Sequence, residues 1–164
     1  RADIKKYYGS TIGMAGRGES IAMKDNYCEI DPTTVDEFGI PVLRFNYKWS
    51  EYEVNQAKHM NDTFEEIVHN MGGTMLQDAP SKESNYGLEN PGRIIHEVGT
   101  TRMGSDPKTS VVNEFQQLHD VDNVFIVDAG PFVSQADKNP TWTILALSWR
   151  ASDYIIEQLK QQNI

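Results

Sequence analysis

Residues 50–71 read SEYEVNQAKHMNDTFEEIVHNM, and no other segment limits so tightly what the chain can fold into. Val54, Ala57, Met60, Phe64, Ile67, Val68 and Met71 recur at helical spacing, which places one apolar stripe on one side of a helix. Ser50 followed by Glu53 is a capping box, Trp49 and Val54 are placed to form a hydrophobic staple, and the acids Glu51 and Glu53 suit the positive start of a helix. Gly72-Gly73 supplies a residue that turns left-handed at no steric cost and stops it. The methionines of this helix are core filler, and His59 and His69 fall on its wetter flanks.

Around that helix the other signals are shorter. NYCEIDP and IPVLRFNYKW alternate apolar and polar residues, the period of half-buried antiparallel strands, and predict a pair at about 26–31 and 41–48. Residues 1–24 show neither period and read as loop with room for a short strand; Gly16 and Gly18 lack the preceding strand and third small residue of a dinucleotide loop and read as a flexible connector. TMLQDA is a candidate short strand, and residues 80–92 form a polar, turn-rich stretch long enough to border a site. RIIHEVG and VDNVFIVDAG are strand-like, with the loop TTRMGSDPKTS after the first of them. Asn139 as N-cap and Pro140 as first helical residue then open a last helix of about five turns. Its apolar residues, among them Ile144, Leu145, Leu147, Trp149, Tyr154 and Ile156, cover more than one face and predict burial on several sides. The expected fold is α+β: a mainly antiparallel sheet with helices packed on it and a long C-terminal helix, as one domain over residues 1–164.

A net charge of −9 repels a phosphate backbone over most of the surface and speaks against nucleic-acid binding. Cys28 is the single cysteine, which excludes an internal disulfide and a thiolate cluster and leaves the compartment open. No apolar run reaches membrane-spanning length. The opening RADIKKYYGS has neither an initiator methionine nor an apolar signal core, and reads as the middle of a longer chain.

Two polar residues stand out for chemistry, His96 after an apolar pair and Asn139 before a proline. Each has a plain structural reading as well: a hydrogen-bonded core histidine, and a helix cap. HEVGT lacks the second histidine of HExxH, so no metal site is read there.

The order of the pieces adds to this. H-x-x-G-T-x-R-M-G, then an apolar stretch ending V-D-A-G, then N-P-T opening an Ala-containing helix with R-A-S-D-Y-I, resembles the C-terminal region of the glucose-methanol-choline (GMC) flavoprotein oxidoreductases. DEFGIP fits the bacterial branch with gluconate and related sugar or polyol dehydrogenases. The resemblance is strong from about residue 93 to 160 and faint before 25. It implies FAD as cofactor, His96 and Asn139 as the catalytic pair, and Asp128, Ala129, Asn139, Pro140 and Thr141 as residues at the cofactor. Thr101 and Asn113 depart from the family pattern, where cysteine and aspartate are common. The family's G-x-G-x-x-G unit is nowhere in these residues. The resemblance therefore also implies a missing N-terminal FAD-binding domain as partner, a piece that by itself does not retain FAD, and an exposed helix face that favours self-association.

Oxidising a small alcohol or sugar takes a hydride from carbon and a proton from the hydroxyl, so a neutral base must reach that oxygen. His96 is the candidate base, and the Asn139 amide a donor that fixes the alcohol's orientation. Capping and catalysis compete for that amide. The alternative reading is a non-catalytic binding or interaction module that keeps the scaffold.

Overall fold

The computed structural model describes residues 2–164, which form two compact units: the chain up to Gly18 with Val54–Leu88, and Glu19–Glu53 with Glu89–Ile164. In the first, helix α1 spans Ala2–Tyr7, where a loop was expected. Asp3 in its first turn and Lys5 and Lys6 in its last complement the helix dipole, a signal that apolar periodicity does not register. Helix α2 spans Glu51–Asn70 and ends at Gly72, whose φ of 71° is the expected left-handed stop. Gly16 and Gly18 lie against it: a Cβ on Gly16 would fall 2.3 Å from Met60 Sδ, and one on Gly18 1.5 Å from Gln56 Oε1. These glycines let backbone run flush along a helix; they are not a loose connector. Within residues 80–92, Lys82–Gly87 is a kinked turn, left-handed at Asn85 (φ 48°) and Tyr86 (φ 55°), pinned to α2 by Asn61 Nδ2 donating to Tyr86 O at 2.9 Å. TMLQDA is not a strand but a bent, irregular segment.

In the second unit, strands β1 (Tyr27–Val35) and β2 (Pro41–Asn46) pair antiparallel, with Tyr27 opposite Asn46, Cys28 opposite Phe45, Glu29 opposite Arg44 and Ile30 opposite Leu43. Opposed residues share a face. One face is therefore apolar (Cys28, Phe45, Ile30, Leu43) and the other polar, with the Glu29–Arg44 ion pair. The register breaks between Ile30 and Val35, where the backbone N–H groups of Thr33 and then Thr34 bond Asp31 and lower its carboxyl to about 2.

The expected mainly antiparallel sheet is thus only this two-stranded ribbon, and α3 does not pack on it. Ile30 on the apolar face is 67 % exposed. A lone two-stranded ribbon buries too little to be stable by itself.

RIIHEVG and VDNVFIVDAG are not strands either. Their backbone groups go into crossed-loop bonds, such as Ile126 N to Gln116 O at 2.9 Å and Leu118 N to Val124 O at 3.0 Å, leaving isolated bridges in place of a ladder. Val112 and Gln116, both 0 % exposed, form the centre of this loop core together with Pro131 and Phe132. Gln116 sits at φ 65° and donates through Nε2 to Ile126 O at 2.9 Å.

Helix α3 spans Thr141–Lys160. Its inner side holds Ala151 and Tyr154, whose ring stacks on Phe115 with centroids 4.1 Å apart; Ser148 Oγ donates to Val127 O at 2.6 Å. Its outer side is bare, with Trp142 84 % and Trp149 73 % exposed, so the predicted burial on several sides does not occur within this chain. No helix among the described residues is long and apolar enough to cross a membrane.

Glu53 is the best-tied charge in this unit. Only 5 % exposed, it accepts Ser50 N through Oε2 at 2.7 Å and Ile21 N through Oε1 at 2.7 Å, and it also bonds the Ser50 hydroxyl. The capping box is therefore also a tether for residue 21. Burial pushes the Glu53 carboxyl up, but the bonds from the Ser50 hydroxyl and the Ile21 and Ser50 N–H groups outweigh it and leave the carboxyl below its ordinary value. A lowered folded-state value means the stabilisation is complete above the unfolded-state value and fades as pH falls through the folded one. Glu53→Gln is expected to cost about 1–3 kcal/mol near neutral pH by leaving a buried donor poorly matched, with the gap from wild type narrowing in acid. Thermal unfolding of both proteins at neutral and acidic pH checks this, and a gap that does not change with pH contradicts it.

Candidate active site

The two segments that carry the motifs are laid side by side by backbone bonds. Gly99 N donates to Ala129 O at 3.2 Å, Thr101 N to Gly130 O at 3.1 Å and Met103 N to Pro131 O at 2.9 Å. Gly99 has φ 84°, so the chain leaving His96 turns left-handed just where it meets residues 129–132. A Cβ at Gly99 would stand 3.2 Å from Phe132 O. His96 is half-buried on irregular backbone three residues before this seam, and its ring makes no hydrogen bond among the described residues.

Asp128 turns the other segment. Its Oδ1 accepts Gly130 N at 2.7 Å, the geometry of a side-chain-closed turn. Gly130 is buried, and a Cβ there would fall 2.2 Å from Thr101 Oγ1, 2.9 Å from Asp128 Oδ1 and 3.4 Å from Thr100 Oγ1. Thr101 Oγ1 is buried with no hydrogen-bond partner.

Asn139 and Pro140 line a concavity of about 320 Å³ whose walls include Met103, Phe132, Thr143 and Leu147. Pro140, with φ −82° and ψ −12°, holds the cap position of α3 in place of Asn139, and no side chain caps the helix. The expected cap is thereby shifted by one residue, because Pro140 already turns helically and its carbonyl accepts the first helical bond, from Ile144 N at 3.0 Å. The exposed Asn139 amide is free of capping duty, and the N–H groups of Thr141, Trp142 and Thr143 have no helical acceptor. The structure thus brings Asn139 and Pro140 to one concavity, with Thr141 next in the chain, and sets Asp128-Ala129 beside Gly99-Thr101. His96 is not in the wall of that concavity.

Met103, Phe132 and Leu147 escaped sequence reading as wall residues because apolar residues in a loop and a helix look alike whether they face a core or a cleft. Gly130 alone carried a legible hint, as the end of the V-D-A-G motif. The residues present fit a flavin cofactor in part: a buried hydroxyl without a partner, a glycine too crowded for a side chain, and unpaired N–H groups at a helix start that favour negative charge before them. No group of three or more His, Cys, Asp or Glu that could hold a metal ion occurs among the described residues.

Among the described residues, three α-helices, one two-stranded antiparallel ribbon and motif residues carried on loops give the chain an α+β make-up. The GMC oxidoreductase model for the C-terminal part of such proteins matches residues 24–148. The chain is 32% identical over 155 residues to 2-methyl-1,2-propanediol dehydrogenase of Mycolicibacterium austroafricanum, covering 94% of this chain and 27% of that protein. It is 33% identical over 159 residues to the fructose dehydrogenase large subunit of Gluconobacter japonicus, covering 97% and 28%. It is 29% identical over 158 residues to the gluconate 2-dehydrogenase flavoprotein of Pantoea cypripedii, covering 96% and 26%. The chain belongs to the GMC oxidoreductase family. It spans about a quarter of the length of these relatives.

Proposed function

We propose that residues 1–164 are the C-terminal, substrate-binding and catalytic part of a longer FAD-dependent oxidoreductase that acts on a CH–OH group of a sugar, polyol or other small alcohol. The observation that carries this is the Asn139 amide, released from capping by Pro140 and placed in the wall of a concavity at the start of α3. FAD, when bound, supplies the hydride acceptor, and Asp128, Ala129, Asn139, Pro140 and Thr141 are the residues here that would hold it.

The remaining chemistry belongs to this chain. His96 accepts the hydroxyl proton of the alcohol, and Asn139 donates a hydrogen bond to the same oxygen. The three unpaired N–H groups at the start of α3 favour negative charge in front of them at no cost of reorganisation. Met103, Phe132 and Leu147 give the concavity an apolar wall for the carbon frame of the substrate.

The partner is the FAD-binding domain carried by the rest of the polypeptide. The bare outer side of α3, with Trp142 and Trp149, is the surface it would cover; left bare, the same side would draw copies of the fragment together. The relatives named above, acting by their names on a diol, fructose and gluconate, support a small polyhydroxylated substrate.

The test is flavin reduction by the full-length protein against a panel of sugars and polyols, followed by turnover with a dye acceptor and with oxygen. Bleaching of the flavin by at least one member of the panel is expected. A bound flavin that none of them reduces would leave the interaction-module reading in its place.

A further inference from the structure

The loop that joins Phe132 to α3 is held by little. Among the described residues the backbone of 133–139 makes no backbone–backbone hydrogen bond, and Gln135 is the single half-buried residue in a run that is otherwise exposed. Its Nε2 donates to the Lys138 carbonyl, three residues on, and closes the loop across its middle. A carbonyl only accepts, so an amide fits this place and an ionised carboxylate of the same shape does not. The other bond within the run joins the exposed neighbours Asp137 and Lys138, and such a pair holds little.

The Lys138 carbonyl lies in the peptide plane that ends at Asn139 Cα, so the atom Gln135 bonds belongs to the same rigid unit as the Asn139 N–H. From the other end the chain is already fixed. Pro140 holds the cap position of α3 and restricts the residue before it to extended backbone. Asn139 is thus clamped between a proline ring and one side-chain hydrogen bond, and Gln135 lines the same concavity. We propose that Gln135 is a positioning residue: by holding the Lys138 carbonyl it aims the Asn139 amide at the substrate oxygen. This rests on the role proposed above for Asn139. Without that hold the amide, which caps nothing, samples directions in which it misses the oxygen.

Two variants of the full-length protein test it. Gln135→Met keeps the length and removes the donor; Gln135→Glu keeps the shape and sets an ionised acceptor against a carbonyl. Unfolding temperatures serve as the check on folding. In both, trypsin is expected to cut after Lys138 about tenfold faster than in wild type, the scale of one lost hydrogen bond, with cleavage after Lys108 unchanged. With the panel member that bleaches the wild-type flavin fastest, at saturation, Gln135→Met is expected to slow flavin reduction by about tenfold. In an Asn139→Ala background the same change is expected to slow it by less than about twofold, because the two residues act as one unit. Cleavage after Lys108 and Lys138 that rises equally, unchanged cleavage, a wild-type rate in Gln135→Met, or equal slowing in both backgrounds overturns the positioning role and leaves the oxidoreductase reading standing. A wild type whose flavin no panel member reduces overturns both.

Discussion

His96→Ala in the full-length protein is expected to lower the rate of flavin reduction by a sugar or polyol by about a hundredfold or more, the usual scale for losing a positioned base. The expectation follows from the proposed role of His96 alone: the alcohol must lose a proton as it loses hydride, and no other histidine belongs to the motif. Rapid-mixing measurements with saturating substrate separate this from weakened binding. Added imidazole should restore part of the rate if the missing group is a base, and none if the ring only fills space. A variant that reduces its flavin at nearly the normal rate would remove His96 from the mechanism and leave it as a half-buried loop residue.

Gly130→Ala is expected to be the most disruptive single change in the loop core. The new methyl would stand 2.2 Å from Thr101 Oγ1 and 2.9 Å from Asp128 Oδ1, well inside contact distance, at a buried position whose own N–H and C=O are bonded to Asp128 and Thr101. Overpacking of this kind costs about 1–3 kcal/mol. Thermal unfolding reads the loss directly. Removing the obstructing hydroxyl as well, in Gly130→Ala with Thr101→Ala, should recover part of it, because the two positions are in contact and their effects do not add. An unfolding temperature equal to that of wild type would show that residues 100–101 and 128 move aside freely, and that the seam between the two motif segments is not rigid.

Both variants bear on the same seam, and there local and non-local signals part company. The helix at residues 51–70 was legible because everything that specifies it lies within the segment: a stripe at helical spacing, Ser50 with Glu53 at one end and Gly72 at the other. The ribbon was legible for the same reason, since alternation within each strand sets its faces. RIIHEVG and VDNVFIVDAG carried equally good strand patterns, yet Gly99 at the end of the first bonds to Ala129 in the second, and Val124 and Ile126 bond back to the loop at 116–118 in place of a partner strand. Such competition has no trace in a window of ten residues.

Of the proposed site, the motifs that mark family membership were legible, and so were His96 and Asn139 as polar residues in unusual settings, whereas Asp128 came only with the family resemblance. The walls of the concavity were not. Met103 and Leu147 carry the same apolar character as any core residue, and only packing decides that they border open space.

From its sequence alone the protein has an α+β make-up, a capped helix, an antiparallel pair and the motif order of its family, because each of these is written in neighbouring residues. Tertiary structure decided the rest: that Pro140 and not Asn139 holds the start of the last helix, that Glu53 ties down residue 21 while capping, and that two apolar stretches become loops. The reason is that a backbone hydrogen bond or a buried carboxylate takes whichever partner the whole chain brings within reach, and the nearest one in sequence has no prior claim.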